Sequence, residues 1–259
     1  PFETTWTESL AGAEAAALSL EVEDGIRVPL LLLRPAGRSS PPVVVAVTQQ
    51  GKERWLRNRS VEIGRLLQAG IAVCLPDVRG TGETAPAVEP RDGGPRHAMA
   101  QMEFDLGKNL LGARLRDLRT VLGYLRTRSD IDGARIALWG ESFAPPNPAH
   151  LFLDELEFEA GPQIQYRAEP IGAHLALLAA LFEEGIQAVA ASGGLAGYLG
   201  MLESPFTYVP IEDIILGVLK AGDITDVAAA LAPRLLLLEG AVNGRNIRLD
   251  AAGLNQTFL

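Results

Sequence analysis

Cysteine is nearly absent from this chain: Cys74 stands alone among 259 residues, so no intrachain disulfide can form and stability has to come from packing. Histidine is almost as scarce. There are only His97, His150 and His174, which leaves few candidates for a general base. Basic residues are outnumbered, 23 Lys plus Arg against 32 Asp plus Glu, giving a net charge of −9. That balance argues against a surface that tracks nucleic-acid phosphates and suits a neutral or weakly polar substrate. No hydrophobic run fits a bilayer span, because the longest uncharged stretch, 185–202, is studded with glycines and carries Gln187 and Ser192. No secretory leader pattern opens the sequence, which begins at Pro1 and reads as processed or trimmed. Internal repeats and low-complexity tracts are lacking.

What is present is a chain 47% hydrophobic and 21% charged, which suits one large α/β domain over residues 1–259. Short apolar runs alternate with helical periodicity, the pattern of a mostly parallel sheet wrapped by helices on both faces. Residues 17–23 and 26–34, joined by Asp24-Gly25, read as an opening hairpin. Strands are expected at 43–47, 71–75, 136–139, 188–191 and 235–238. A helix is expected over 59–68, ended by Gly70. A second, over 106–126, would bury Leu111, Leu115, Leu118, Leu122 and Leu125. The Pro- and Gly-rich stretch 85–97 reads as a long surface loop bordering a site.

The most informative segment is Ile136-Ala137-Leu138-Trp139-Gly140-Glu141-Ser142-Phe143-Ala144. An apolar strand runs straight into a serine with small residues two positions away on each side, the form of a nucleophile elbow, G-x-S-x-small. Such a turn holds the serine in a strained strand-to-helix corner, exposes Oγ above the sheet and aims the next N–H, that of Phe143, at a forming oxyanion. Pro145, Pro146 and Pro148 forbid the helix that normally starts there. The helix is expected to resume at Gly172-Ala173-His174, making 145–171 an insertion or lid. Its aromatics Phe152, Phe158 and Tyr166 are candidates for a pocket wall or for surface anchoring.

Ester hydrolysis by serine needs a base, an acid to orient it, and oxyanion donors. The acid normally follows the strand at 235–238, where Asn243 stands in place of an aspartate. An amide orients a neutral imidazole but stabilises imidazolium poorly. Glu239, Glu212 and Asp213 are substitutes that otherwise read as ordinary surface carboxylates. No histidine follows Asn243, so the chain is expected to stop, at Leu259, before the strand and loop that would carry the base. His150, eight residues beyond Ser142, is the candidate able to fold back to it, His97 lies in the long loop, and His174 reads as a packed helix residue. The second oxyanion donor is expected from Thr48-Gln49-Gln50-Gly51, through the backbone N–H of Gln49 or Gln50. Arg79, in Asp77-Val78-Arg79-Gly80-Thr81-Gly82, reads as a structural tie between loops.

Those segments, with Gly112-Ala113-Arg114-Leu115-Arg116-Asp117-Leu118 and Asp130-Ile131-Asp132-Gly133-Ala134-Arg135 leading into the serine strand, resemble the acetyl xylan esterase-like branch of the α/β-hydrolases. The Arg-Gly-Thr-Gly turn is also similar to that of X-prolyl peptidases and cocaine-esterase-like acyl hydrolases. The resemblance implies an α/β-hydrolase fold lacking its C-terminal end, and a bacterial enzyme that deacetylates plant polysaccharide or small esters without metal or organic cofactor. It carries the nucleophile onto Ser142, the first oxyanion donor onto Phe143 and the acid onto Asn243, and leaves the histidine without a counterpart. Two other readings stay open. One is a hydrolase-fold module without turnover that binds a carbohydrate or protein partner; the other is a peptidase or amidase of the same fold.

Overall fold

The computed structural model describes residues 2–86, 95–149 and 166–258, with 95–97 described for the backbone alone. Eight strands form one sheet: β1 (Phe2–Leu10), β2 (Ala13–Glu23), β3 (Ile26–Pro35), β4 (Val43–Val47), β5 (Ala72–Pro76), β6 (Ile136–Glu141), β7 (Ile186–Ser192) and β8 (Leu235–Glu239). Their spatial order is β1-β2-β3-β5-β4-β6-β7-β8. The pairs from β1 through β3 to β5 are antiparallel, and the five strands from β5 to β8 run parallel.

The helices are α1 (Lys52–Asn58), α2 (Ser60–Gln68), α3 (Pro95–Asp105), α4 (Leu110–Thr127), α5 (Ile171–Phe182), α6 (Ile224–Ala230) and α7 (Ala251–Phe258). Alternation along the strands divides the interior in two. Leu30, Leu32, Ala72, Cys74 and Leu138 face α4 and α5, joined by Leu111, Leu118, Leu122 and Leu125, whereas Leu31, Leu33, Val73, Leu75 and Trp139 face Trp55 and Ile63 of α1 and α2. Each fully buried leucine of this kind contributes about 1.5–3 kcal/mol, and the period-two pattern fixes the register, because a one-residue slip would exchange the two cores.

Three elements depart from the sequence expectation. The edge strand β1, FETTWTESL, is exposed along its whole length, and with no buried face to impose alternation it left no signal. The expected 106–126 helix is α4, which starts later, at Leu110: Gly107 takes a φ of +70° and Asn109 caps α4 through Oδ1 accepting from the Gly112 N–H, while a separate helix, α3, precedes it and ends at Asp105. On the α2 side of β6–β8, Ala137, Trp139, Ala188, Ala190, Leu235 and Leu237 line a groove of about 770 Å³. There Leu235 and Leu237 are 75% and 58% exposed, unlike the usual parallel strand covered on both faces.

From β4 the chain crosses to β5 on one side, and from β5 it returns to β6 on the other. The carboxyl ends of β4 and β6 therefore flank a topological switch point, the place where open α/β sheets form ligand crevices.

Candidate active site at the carboxyl end of β6

Ser142 directly follows β6, and its N–H donates to the Ser192 carbonyl of β7 at 3.0 Å. The strand pairing thus continues through the serine. Among described non-glycine residues only Asn246, at φ 57°, has a positive φ, so the strained corner expected at Ser142 is absent. No helix begins at the serine: residues 142–149 are non-helical and α5 starts at Ile171. Oγ is half-buried and accepts from the Ala144 N–H at 3.3 Å. It faces a pocket of about 110 Å³ bounded by Arg59, Glu141, Ser192, Glu239, Asn246 and Arg248, among others. Gly193, at φ +70°, backs the serine so closely that a Cβ there would lie 2.7 Å from Ser142 Cβ.

Neighbouring groups are held firmly. The buried Glu141 carboxylate accepts from Arg59 Nε at 3.0 Å on both oxygens, with a further contact from Nη2, and Arg59 also donates to Glu62 at 3.1 Å. Hydrogen bonding to Glu141 outweighs burial and raises the Arg59 pKa. The Phe143 ring packs edge-on against Trp55 at 5.4 Å beneath the guanidinium groups of Arg54 and Arg59.

Gln49 and Gln50 are the central residues of a turn closed by the Gly51 N–H donating to the Thr48 carbonyl at 3.3 Å. Their amides are engaged, Gln49 Nε2 with Glu212 at 3.5 Å and Gln50 Nε2 with Glu169 at 2.7 and 2.8 Å. Asn243 Oδ1 accepts from the N–H groups of Arg245 and Ile247 at 3.0 and 3.1 Å. It shapes the 243–247 turn, and the residue of that turn lining the serine pocket is Asn246. Asn246 Nδ2 donates to the carbonyls of Pro145 and Tyr166 at 3.0 and 3.1 Å. Asn147 and Tyr166 exchange hydrogen bonds of 2.7 and 3.0 Å, so the two described ends of the 145–171 segment are pinned side by side. His150, Phe152 and Phe158 lie outside the described residues, as does the His97 side chain.

His174 is in the core, as its helical context suggested, fully buried with Nδ1 2.8 Å from Asp213 Oδ2. No described imidazole lines the Ser142 pocket. Asp213 and Glu212 are not surface carboxylates: they are 0% and 5% exposed. Burial opposes the charged imidazole, but the Asp213 carboxylate, aided by the Leu195 carbonyl and Asp223, prevails and raises the His174 pKa. Sequence reasoning missed this pair because thirty-odd residues separate its members and nothing local marks Asp213 as buried.

Arg79 is a structural tie, as expected. Its Nε and Nη2 grip the buried Asp117 at 2.6–3.1 Å, its N–H donates to the same carboxylate at 2.9 Å, and Nη2 reaches Glu23 at 2.9 Å. Asp77 likewise accepts from the Lys52 and Glu83 backbone N–H groups and from Lys52 Nζ at 2.6–2.9 Å. Among the described residues no group of three or more His, Cys, Asp or Glu is arranged to hold a metal ion, and no helix is long and apolar enough to cross a membrane.

No model of a known protein family matches the chain, and no curated protein does. Solved structures do. A candidate acetyl xylan esterase from Bacteroides fragilis superimposes with a TM-score of 0.72 at 16% identity, over 93% of this chain and 62% of that one. A methylesterase gives 0.61 at 19% identity, over 92% and 44%. A candidate dipeptidyl aminopeptidase IV from Bacteroides ovatus gives 0.60 at 13% identity, over 95% and 30%. The chain thus spans less than two thirds of the length of each of these relatives. At such identities the shared property is architecture: the chain has the α/β-hydrolase fold, in the form found in acetyl xylan esterases and related esterases.

Proposed function

We propose that the chain is a carboxylic ester hydrolase of carbohydrate-ester type, with Ser142 as nucleophile. The observation carrying this reading is the Ser142 hydroxyl itself, half-buried at the switch-point end of a central parallel strand and facing a small polar pocket. Esterases among the structural neighbours, including one acting as a methylesterase, support it. At ~30 Å³ per water, the pocket of about 110 Å³ has room for an acyl group of acetyl size.

In this reaction Ser142 Oγ gives its proton to a base and bonds to the ester carbonyl carbon. The tetrahedral oxyanion is taken up by the Phe143 N–H and by Gln49 or Gln50. Collapse expels the alcohol, which recovers the proton, and water then hydrolyses the acyl-enzyme by the same route reversed. His150 is the proposed base. The Arg59–Glu141 pair braces the residue before the nucleophile. With Asn243 Oδ1 committed to backbone, the imidazolium lacks carboxylate support from that post, and turnover is expected to be slow by orders of magnitude relative to a complete triad.

Hydrolysis of p-nitrophenyl acetate and of acetylated xylo-oligosaccharides by wild type, Ser142→Ala and His150→Ala tests the reading. Loss of turnover in both variants supports it, and retention in Ser142→Ala removes it. The absence of a positive φ at Ser142 and the engaged Asn243 favour one other reading, a module that binds a carbohydrate or partner without turnover. Saturable xylo-oligosaccharide binding with no ester cleavage would select it. Faster cleavage of matched amides than esters would select a peptidase.

A further inference from the structure

His174 and Asp213 are an ionisable pair with no exposure to water, Nδ1 2.8 Å from Oδ2, an arrangement that well-packed apolar residues often match or better for stability. Its surroundings suggest what retains it. On one side of the imidazole lie Asp213 and the Tyr198 ring, 5.8 Å from it, with the Tyr198 hydroxyl donating to the Asp213 carbonyl at 2.6 Å. On the other lies the segment 192–196. A Cβ on Gly194 would stand 3.9 Å from His174 Cδ2, and the Leu195 backbone favours the charged ring without a well-aligned hydrogen bond to either ring nitrogen.

That segment is the floor under Ser142. Ser192 accepts from the serine N–H, and Gly193 is packed against its Cβ. The floor is tied to β8 and beyond by Gly193 N–H to Glu239, Val242 N–H to Gly194 and Ala196 N–H to Val242, at 2.8–2.9 Å. Those bonds hold one side of it; on the other, Gly194 stands against Ala173 and His174 of α5.

We infer that His174 is a positioning residue for Ser142: paired with Asp213 and packed against Gly194, its imidazolium holds α5 and the 211–213 turn against the floor on which the serine rests. The inference rests on Ser142 being the nucleophile. The ionisable groups acting on the imidazole are Asp213 from the 211–213 turn, Tyr198 from the segment after β7, and Asp223 at the cap of α6, while Glu212, next to Asp213, accepts from Gln49. Gln49 stands beyond Glu212 at the end of β4. From α4, Arg119 and Arg126 engage Glu183 at the far end of α5.

A clamp that needs the imidazolium is lost as pH rises through its titration, whereas a serine's general base is lost as pH falls. The test is the rate at which a fluorophosphonate labels Ser142, followed from mildly acid to alkaline pH in wild type, His174→Gln and Asp213→Asn. The expected result is an alkaline decline in wild type. Labelling should be ten- to a hundredfold slower in His174→Gln, the order of penalty for a displaced reacting group, with the decline abolished. In Asp213→Asn, which keeps the side-chain shape and carries the test if His174→Gln does not fold, the decline should move to lower pH. A flat alkaline side in wild type, or wild-type rates and profile in the variants, overturns the inference. If wild type is not labelled at all, the nucleophile reading fails, and the clamp is judged by hydrogen exchange at the Gly193 and Ala196 amides. Faster exchange in the variants supports it, and unchanged protection overturns it.

Discussion

Gly140 and Gly172 meet backbone to backbone: a Cβ on Gly140 would stand 2.0 Å from the Gly172 carbonyl oxygen, and one on Gly172 would stand 2.6 Å from the Val47 carbonyl and 2.7 Å from that of Glu141. The end of β6 and the start of α5 therefore stay in contact although the 145–171 segment separates them in sequence. This contact sets the first turn of α5 against the crevice and carries His174 with it. Gly140→Ala should lower the unfolding free energy by about 1–3 kcal/mol or more through overpacking, read by urea denaturation. Gly123→Ala, in α4 with open space around it, should instead gain up to ~1 kcal/mol. Equal effects would refute the close-packing account.

The Arg79–Asp117 tie gives a second expectation. Asp117 is fully buried and receives three donor groups of Arg79. Asp117→Ala should cost about 3–5 kcal/mol, because it leaves the guanidinium without its buried partner. Arg116→Ala removes an exposed arginine whose contact is Glu23 at 3.3 Å, and should cost about 1 kcal/mol or less. Chemical denaturation of the two variants separates them.

The His174–Asp213 pair also predicts the pH dependence of stability. The folded-state pKa of His174 is raised above its ordinary 6.5, so its contribution is complete below that ordinary value and is lost as pH rises through the folded value. The stability difference between wild type and His174→Gln should be largest in mild acid and shrink on the alkaline side. A difference independent of pH, measured by denaturation at several pH values, would contradict a charged pair.

Burial pushes the Cys74 thiol up to about 12, slightly offset by Arg128. Native protein should resist iodoacetamide at mildly alkaline pH, with alkylation appearing only on unfolding. Rapid labelling of folded protein would show that the core between β3 and β4 opens.

Much of the fold was legible because buried strands and amphipathic helices carry their periods locally: the hairpin before Pro35, Val43 to Val47, the leucines of α4 and the Gly172-Ala173-His174 helix all stand where their patterns put them. β1 was not legible, since an exposed edge strand needs no alternation, and α3 begins inside the 85–97 stretch whose Pro and Gly content reads as loop and runs on to Asp105 without a marked apolar face. Of the site, Ser142 falls at the strand end its motif indicates, but the corner the motif implies is missing, because three prolines displace the helix that would impose it. Asn243 looked like a triad position by its distance past β8, whereas its oxygen closes its own turn. Asp213 and Glu141 were illegible as buried charges. Their partners, His174 and Arg59, come from distant segments that only the fold brings together.

The most direct measurement is intact mass followed by peptide mapping after exposure of the folded protein to a fluorophosphonate. One adduct on the peptide bearing Ser142, absent from Ser142→Ala, is the expected result. An unmodified mass in the folded protein, or an adduct on any other residue, would contradict a nucleophilic Ser142.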